Sequence, residues 1–260
     1  MYCGHTQYLG NPLSLRSMRR RSFLGFVAGA LITSAGLALF SIGKLDQTKK
    51  TRTEVSQPTH TGLPPKTLGI VSVEEALARR RSIREYSQKP LTVEEVMKLL
   101  WAAQGITLQP YGFRTAPSAG GTYPLEVYVV AKPSGVEGLE AGIYHYQPRD
   151  HSLICRITGD FSGQLMAAAL DQEWVGSAPV NFVVTAVFER TTGKYGERGV
   201  RYVWQESGHA AQNIYLQAVA LGLGNVVIGA FHDAEVQRIL ALSDQEKPLY
   251  VIPVGVPKIS

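Results

Sequence analysis

The chain has 260 residues, 45% of them hydrophobic and 18% charged, with a formal net charge of +5. That is enough apolar content for one globular domain with a substantial core plus extensions, and nothing in it repeats as a solenoid array would. The charge does not argue for nucleic acid: residues 1–65 carry eight Lys and Arg against two Asp and Glu, which leaves the rest at −1 and offers no basic groove.

The N-terminal charge belongs to targeting. Arg19-Arg20-Arg21-Ser22-Phe23-Leu24-Gly25 resembles a twin-arginine signal, and the uncharged run 23–42 is long enough to cross a bilayer at about 1.5 Å per residue. The arginines are expected on the cytoplasmic side, with the domain exported or membrane-anchored through residues 23–42. Met18 stands directly before the arginines, where a signal of ordinary length begins. Residues 1–43 are therefore read as signal or anchor, 44–65 as a polar tether containing Pro58, Pro64 and Pro65, and 66–260 as the catalytic domain. With only Cys3 and Cys155, no disulfide framework and no cysteine metal site is expected.

Ser72-Val73-Glu74-Glu75 and Thr92-Val93-Glu94-Glu95 both read as capping boxes. They predict helices from Val73 to about Arg81 and from Val93 to just before Gly105. Residues 125–130 read as a strand, 143–146 and 153–157 as a hairpin around Pro148-Arg149-Asp150, and 162–170 as a short helix. The continuous apolar run 179–188 predicts a central strand covered on both faces. Residues 191–199, polar and Gly-containing, read as a mobile loop, and 203–221 as the longest helix. A segment at 225–231, a helix over 233–240 and a last strand over 250–255 complete the reading. The irregular alternation favours a mixed sheet wrapped by helices.

No phosphate loop, nucleophile elbow or His-Glu-x-x-His motif is present. Gly222-Leu223-Gly224 follows a helix, so it is a poor dinucleotide fingerprint. Glu206-x-x-His209 is half of a di-iron pattern without its second copy, which argues against a metal and for a buried polar network of Glu206, His209, Gln212 and Asn213. Two segments remain that together describe a pocket for a phosphorylated, planar ligand. Arg80-Arg81-Ser82-Ile83-Arg84 offers guanidinium forks and a hydroxyl to phosphate oxygens. Ala116-Pro117-Ser118-Ala119-Gly120-Gly121-Thr122-Tyr123-Pro124 offers bare backbone to a flat ring.

These two motifs, with Tyr144-x-Tyr146-x-Pro148-x-x-His151-x-Leu153 and Glu206-x-Gly208-His209-x-x-Gln212-Asn213 leading to Gly222-Leu223-Gly224, resemble the nitroreductase superfamily of flavin mononucleotide (FMN) enzymes. Within it they resemble the SagB/ThcOx-type branch, relatives of the oxidases that convert peptide azolines to azoles. The resemblance implies an α+β fold, a largely antiparallel sheet wrapped by helices, here preceded by the N-terminal apolar targeting helix. It also implies an obligate homodimer with FMN sites across the interface, formed around the long helix 203–221.

By the same resemblance Arg80, Arg81, Ser82 and Arg84 grip the FMN phosphate and ribityl chain. Pro117, Ser118, Gly120 and Gly121 pack on the flavin of the partner subunit, and Ile228-Gly229 faces the flavin N5 edge, with Lys258 a substitute for a basic residue beyond the last strand. The azoline oxidases use a Lys-Tyr pair, and the aligned residues here are Arg201 and Tyr202, of which only Tyr202 is suited to acid chemistry because arginine keeps its proton. The expected function is hydride transfer to or from a small or peptidic substrate. A flavin module serving as electron relay, or a cofactor-less scaffold, are the competing readings.

Overall fold

A computed structural model of the chain describes residues 60–61 and 71–258. The expected signal or anchor, 1–43, and most of the tether lie outside the described residues. Two tether residues do not: His60–Thr61 form strand β1.

Helix α1 (Val73–Arg79) starts as the first capping motif predicts, with Ser72 Oγ accepting the Glu75 N–H at 3.1 Å. It ends two residues earlier than expected. Short strand β2 (Leu91–Thr92) leads into α2 (Val93–Gln104), which carries a full capping box between Thr92 and Glu95. A small hairpin of β3 (Ile106–Leu108) and β4 (Phe113–Arg114) follows, then β5 (Leu125–Ala131), β6 (Val136–Glu137), β7 (Gly142–Gln147) and β8 (Ser152–Thr158). Helices α3 (Ser162–Ala168) and α4 (Glu173–Ser177) precede the central strand β9 (Val180–Val187). The rest is α5 (Glu189–Tyr195), α6 (Arg198–Ala220), β10 (Gly224–Asn225), α7 (Asp233–Ile239) and β11 (Glu246–Gly255).

Seven strands form one sheet in the order β1-β8-β7-β5-β9-β11-β10, and every pairing in it is antiparallel. The only parallel pairing among the described strands is the separate β2–β6 ladder. Alternate residues of β5, β9 and β11 face opposite cores, as the period of two requires. Val127, Val129, Phe182, Val184 and Ile252 pack toward α2 and α6, whereas Tyr128, Val130, Val183 and Val251 pack toward α3, α4 and α7. This two-sided burial accounts for the uninterrupted apolar run of β9.

Two expectations need correction. Residues 191–199 are not a loop: α5 occupies 189–195, a break at Gly196 (φ 58°, ψ −150°) turns the chain, and α6 begins at Arg198, five residues before the predicted start. Tertiary contacts described below outweigh the weak helix propensity of Thr-Thr-Gly. The four-residue polar network on α6 does not form, because His209 faces solvent while Glu206 is buried. No helix among the described residues is long and apolar enough to cross a membrane.

Candidate active site

The arginine-rich segment leaves α1 in extended geometry. Arg80 has φ −52° and ψ 124°, so side chains now alternate in direction. Ile83 N–H donates to Asn225 O at 3.0 Å and Ser82 bridges Asn225. Gly224 permits this approach, since a Cβ there would sit 2.7 Å from Ile83 Cβ. On one side, Ser82 Oγ lies 3.1 Å from Tyr215 Oη of α6, and the same oxygen accepts the Val227 N–H at 3.0 Å. The Arg80 guanidinium is 5.0 Å from the centre of the Tyr215 ring, and that of Arg84 is 5.4 Å from the Trp174 ring. Arg81 does not join them: it donates to the carbonyls of Ala78 and Arg80 at 3.0 and 2.7 Å and lines a separate small cleft with Arg79.

Ile228 and Gly229 directly follow Val227, so the Tyr215 hydroxyl ties their backbone to the Arg80–Ser82 segment. Ile228 is buried and Gly229 exposed. Lys258 lies just beyond the arginine motif, its backbone N–H donating to Glu85 O at 3.0 Å.

The glycine-rich loop makes a tight turn at Ala119–Gly121, with Gly120 and Gly121 left-handed at φ 62° and 65°. A side chain at Gly120 would be strained by that φ and would overlap Tyr195 Oη and Lys194 Nζ. The loop is held from α5 at three points: Lys194 Nζ donates to Gly120 O at 3.1 Å, Arg190 to Tyr123 O at 3.1 Å, and Thr122 and Thr191 hydroxyls lie 2.8 Å apart. Arg190 also pairs with Glu126 at 2.6 Å, opposite His145 at 2.9 Å. Burial pushes the Glu126 carboxyl up, but His145 and Arg190 outweigh it and hold it below the usual carboxylate value.

Tyr202 is half-buried with its ring against Tyr195, centroids 5.2 Å apart, and Arg201 points to solvent. Two residues not singled out from the sequence, Lys194 and Tyr195, stand between this ring and the glycine-rich loop. They are a Lys-Tyr dipeptide on α5, in a stretch whose Thr-Thr-Gly composition reads as loop. One turn beyond Tyr202, Glu206 is 2% exposed and neither carboxylate oxygen completes a hydrogen bond. Burial pushes it up to about 7, against the opposing pull of Ser118, Arg114 and the Ala119 amide. Among the described residues no three His, Cys, Asp or Glu side chains gather as a metal site would need.

Comparison with known proteins identifies the family in which this cationic segment and bare-backbone loop occur. Residues 77–256 match the nitroreductase family model, and the chain belongs to that family, whose members are oxidoreductases. It is 46% identical over 185 residues to a Methanocaldococcus jannaschii protein named as a nitroreductase, covering 71% of this chain and 91% of that one. It is 30% identical over 165 residues to the Escherichia coli microcin B17-processing protein McbC, covering 60% of this chain and 58% of that one. Among solved structures, a Ralstonia eutropha protein described as a nitroreductase aligns with a TM-score of 0.67 at 28% identity, over 79% of this chain and 96% of that one.

Proposed function

We propose that this enzyme is an FMN-dependent oxidoreductase acting as a homodimer, with each cofactor held between the Arg80–Arg84 segment of one protomer and the Pro117–Gly121 loop of the other. The observation that carries the reading is the meeting of Ser82 Oγ and the Val227 N–H at the Tyr215 hydroxyl, with the Arg80 guanidinium over the same ring. The half-buried Arg80 and exposed Arg84, with the Ser82 hydroxyl, are the donor set a phosphate monoester needs. The side-chain-less turn at Gly120 is what a flat ring needs. The two halves are anchored at Tyr202 and Tyr215 on α6, about 20 Å apart at 1.5 Å per residue, which favours two sites built by two protomers.

FMN, when bound, supplies hydride transfer. The chain supplies orientation and proton handling. Lys194 Nζ and Tyr195 Oη are the groups packed on the loop, and they meet the branch's requirement for a Lys-Tyr pair better than Arg201 and Tyr202. Tyr195 Oη, a phenol, can donate a proton or hydrogen bond to the substrate while Lys194 Nζ, bonded to Gly120 O, fixes the loop and stabilises negative charge. Tyr202 buttresses the Tyr195 ring. The substrate is small or peptidic, and similarity to a microcin-processing protein supports the peptidic class.

Purified protein should be yellow with one FMN per protomer, and the photoreduced form should be reoxidised by quinones, nitroaromatics or azoline peptides. A colourless protein that takes up no FMN would falsify the reading. Export is supported by Arg19-Arg20-Arg21 and the apolar run after it. A reporter fused after Lys66 should leave the cytoplasm only where the twin-arginine route works, and retention should follow replacement of Arg19 and Arg20 by Lys.

A further inference from the structure

We propose that Glu126 is a positioning residue for the reaction: its carboxylate, wedged between His145 and Arg190, holds the Arg190 guanidinium on the Tyr123 carbonyl and thereby sets the glycine-rich loop against Lys194 and Tyr195. The inference rests on the reading above, in which that pair handles the substrate proton.

Glu126 lies on β5, in the middle of the sheet, with 17% of its side chain exposed and both oxygens engaged. Oε1 is 2.6 Å from Arg190 Nη1, and Oε2 is 2.9 Å from His145 Nε2. The sheet fixes this carboxylate from behind. His145 stands opposite Tyr128 on the neighbouring strand β7, and the two rings stack with centroids 4.5 Å apart. The Nδ1 of His145 lies 3.0 Å from the Gln147 amide nitrogen, which can only donate. Nδ1 therefore accepts, and Nε2 carries the proton that goes to Glu126. On the other side, the same Arg190 nitrogen donates to Tyr123 O at 3.1 Å. Each of its hydrogens has its own acceptor, and the carboxylate aims the guanidinium. The Arg190 side chain is 40% exposed, so water competes for it once the carboxylate is gone.

Tyr123 is where this hold acts. Its φ of 46° is one that bulky residues rarely adopt, and such a backbone persists only where its surroundings over-determine it. Three groups do so: Ser118 Oγ accepts its N–H at 2.9 Å, the Arg114 guanidinium lies 4.6 Å from its ring centre, and Arg190 donates to its carbonyl. Arg190 and Lys194 are four residues apart on α5, hence on one helical face. They bind the two ends of the turn, Tyr123 O and Gly120 O, and Tyr195 Oη packs on Gly120 as well. Freeing the Arg190 end leaves the turn held from α5 by Lys194 and the Thr191 hydroxyl, and the proton-donating pair shifts with it.

Glu126→Gln is the test, because an amide cannot accept from both neighbours: its nitrogen must face one of two donors. The photoreduced holoenzyme is reoxidised under stopped flow by benzoquinone, which takes up two electrons and two protons, or by ferricyanide, which takes one electron and no proton. In Glu126→Gln the limiting rate with benzoquinone should fall at least about tenfold at unchanged half-saturation, while the ferricyanide rate stays within about twofold of wild type. Arg190→Gln should behave alike, and the double variant should be no slower than the slower single one. Equal slowing with both acceptors, a wild-type benzoquinone rate, or additive losses overturns the proposal. In the apoprotein, amide exchange over 118–124 should speed up in both variants while that of β11 does not; unchanged exchange over 118–124 overturns the clamp. If Glu126→Gln fails to fold, Arg190→Gln, at a partly exposed position, carries the same comparison of acceptors. A protein that shows the exchange change but binds no FMN defeats the flavin reading and leaves the clamp standing.

Discussion

Arg80 and Arg81 are neighbours whose guanidinium groups serve different surroundings, one over Tyr215 and the other against the backbone of its own turn. Arg80→Ala should weaken FMN binding by about 1–3 kcal/mol, the range for a charge-assisted contact, whereas Arg81→Ala should change it by less than about 0.5 kcal/mol. Titration calorimetry on the two variants checks this, and equal losses would place Arg81 in the phosphate site after all. Glu206 makes a prediction about stability. Its folded pKa is raised from 4.5 to about 7, so between those values the native state binds more protons than the unfolded state. Stability from this group is therefore greatest below pH 4.5 and falls as pH rises through 7. Glu206→Gln should match wild type near pH 4 and exceed it above pH 7 by about 1–3 kcal/mol, as read by denaturant melts at both pH values. The Arg-Arg-Ser motif and the paired glycines were legible in the sequence because their residue types carry their chemistry. Tyr215 was not, because a tyrosine on a helix reveals nothing until Ser82 and Val227, each remote in the chain, close on its hydroxyl.

Helix α5 shows how an element escapes sequence reasoning. Glu189–Tyr195 contains Thr191, Thr192 and Gly193, all poor helix formers, and has no side-chain cap at its start. It forms because Thr191 is buried beside Thr122 and because Arg190 and Lys194 each bind a carbonyl of the glycine-rich loop. Thr191→Val keeps the shape and removes that hydroxyl contact. It should cost about 1 kcal/mol and raise hydrogen exchange in both α5 and the loop, whereas an effect confined to α5 would show that the contact does not couple them. The helices α1 and α2 were legible at their starts, where capping motifs act through neighbouring residues alone. The early start of α6 was not, since Gly196 and Gly199 hide the helix that resumes beyond the break.

Among the described residues the antiparallel sheet buries both faces, and the large apolar side chains left on the surface include Tyr111, Phe113, Val200 and Trp204. Two of these, Val200 and Trp204, lie on α6 itself, 40% and 49% exposed. A partner protomer is the surface the proposed homodimer supplies for them. Trp204→Glu should convert the dimer to monomer in size-exclusion chromatography with light scattering and release FMN at the same time. A variant that stays dimeric would put the interface elsewhere. The sheet class was readable from strand patterns, but the attachment of His60–Thr61 to β8 was not, because two polar residues in a proline-bearing stretch carry no strand signal.

Helix α6 carries Tyr202 and Glu206 toward one end and Tyr215 toward the other, on a single uninterrupted rod of 23 residues. In the dimer proposed here each rod serves one cofactor with its far end and the other cofactor with its near end. The two reaction centres would then share each rod, and neither protomer would complete a site on its own.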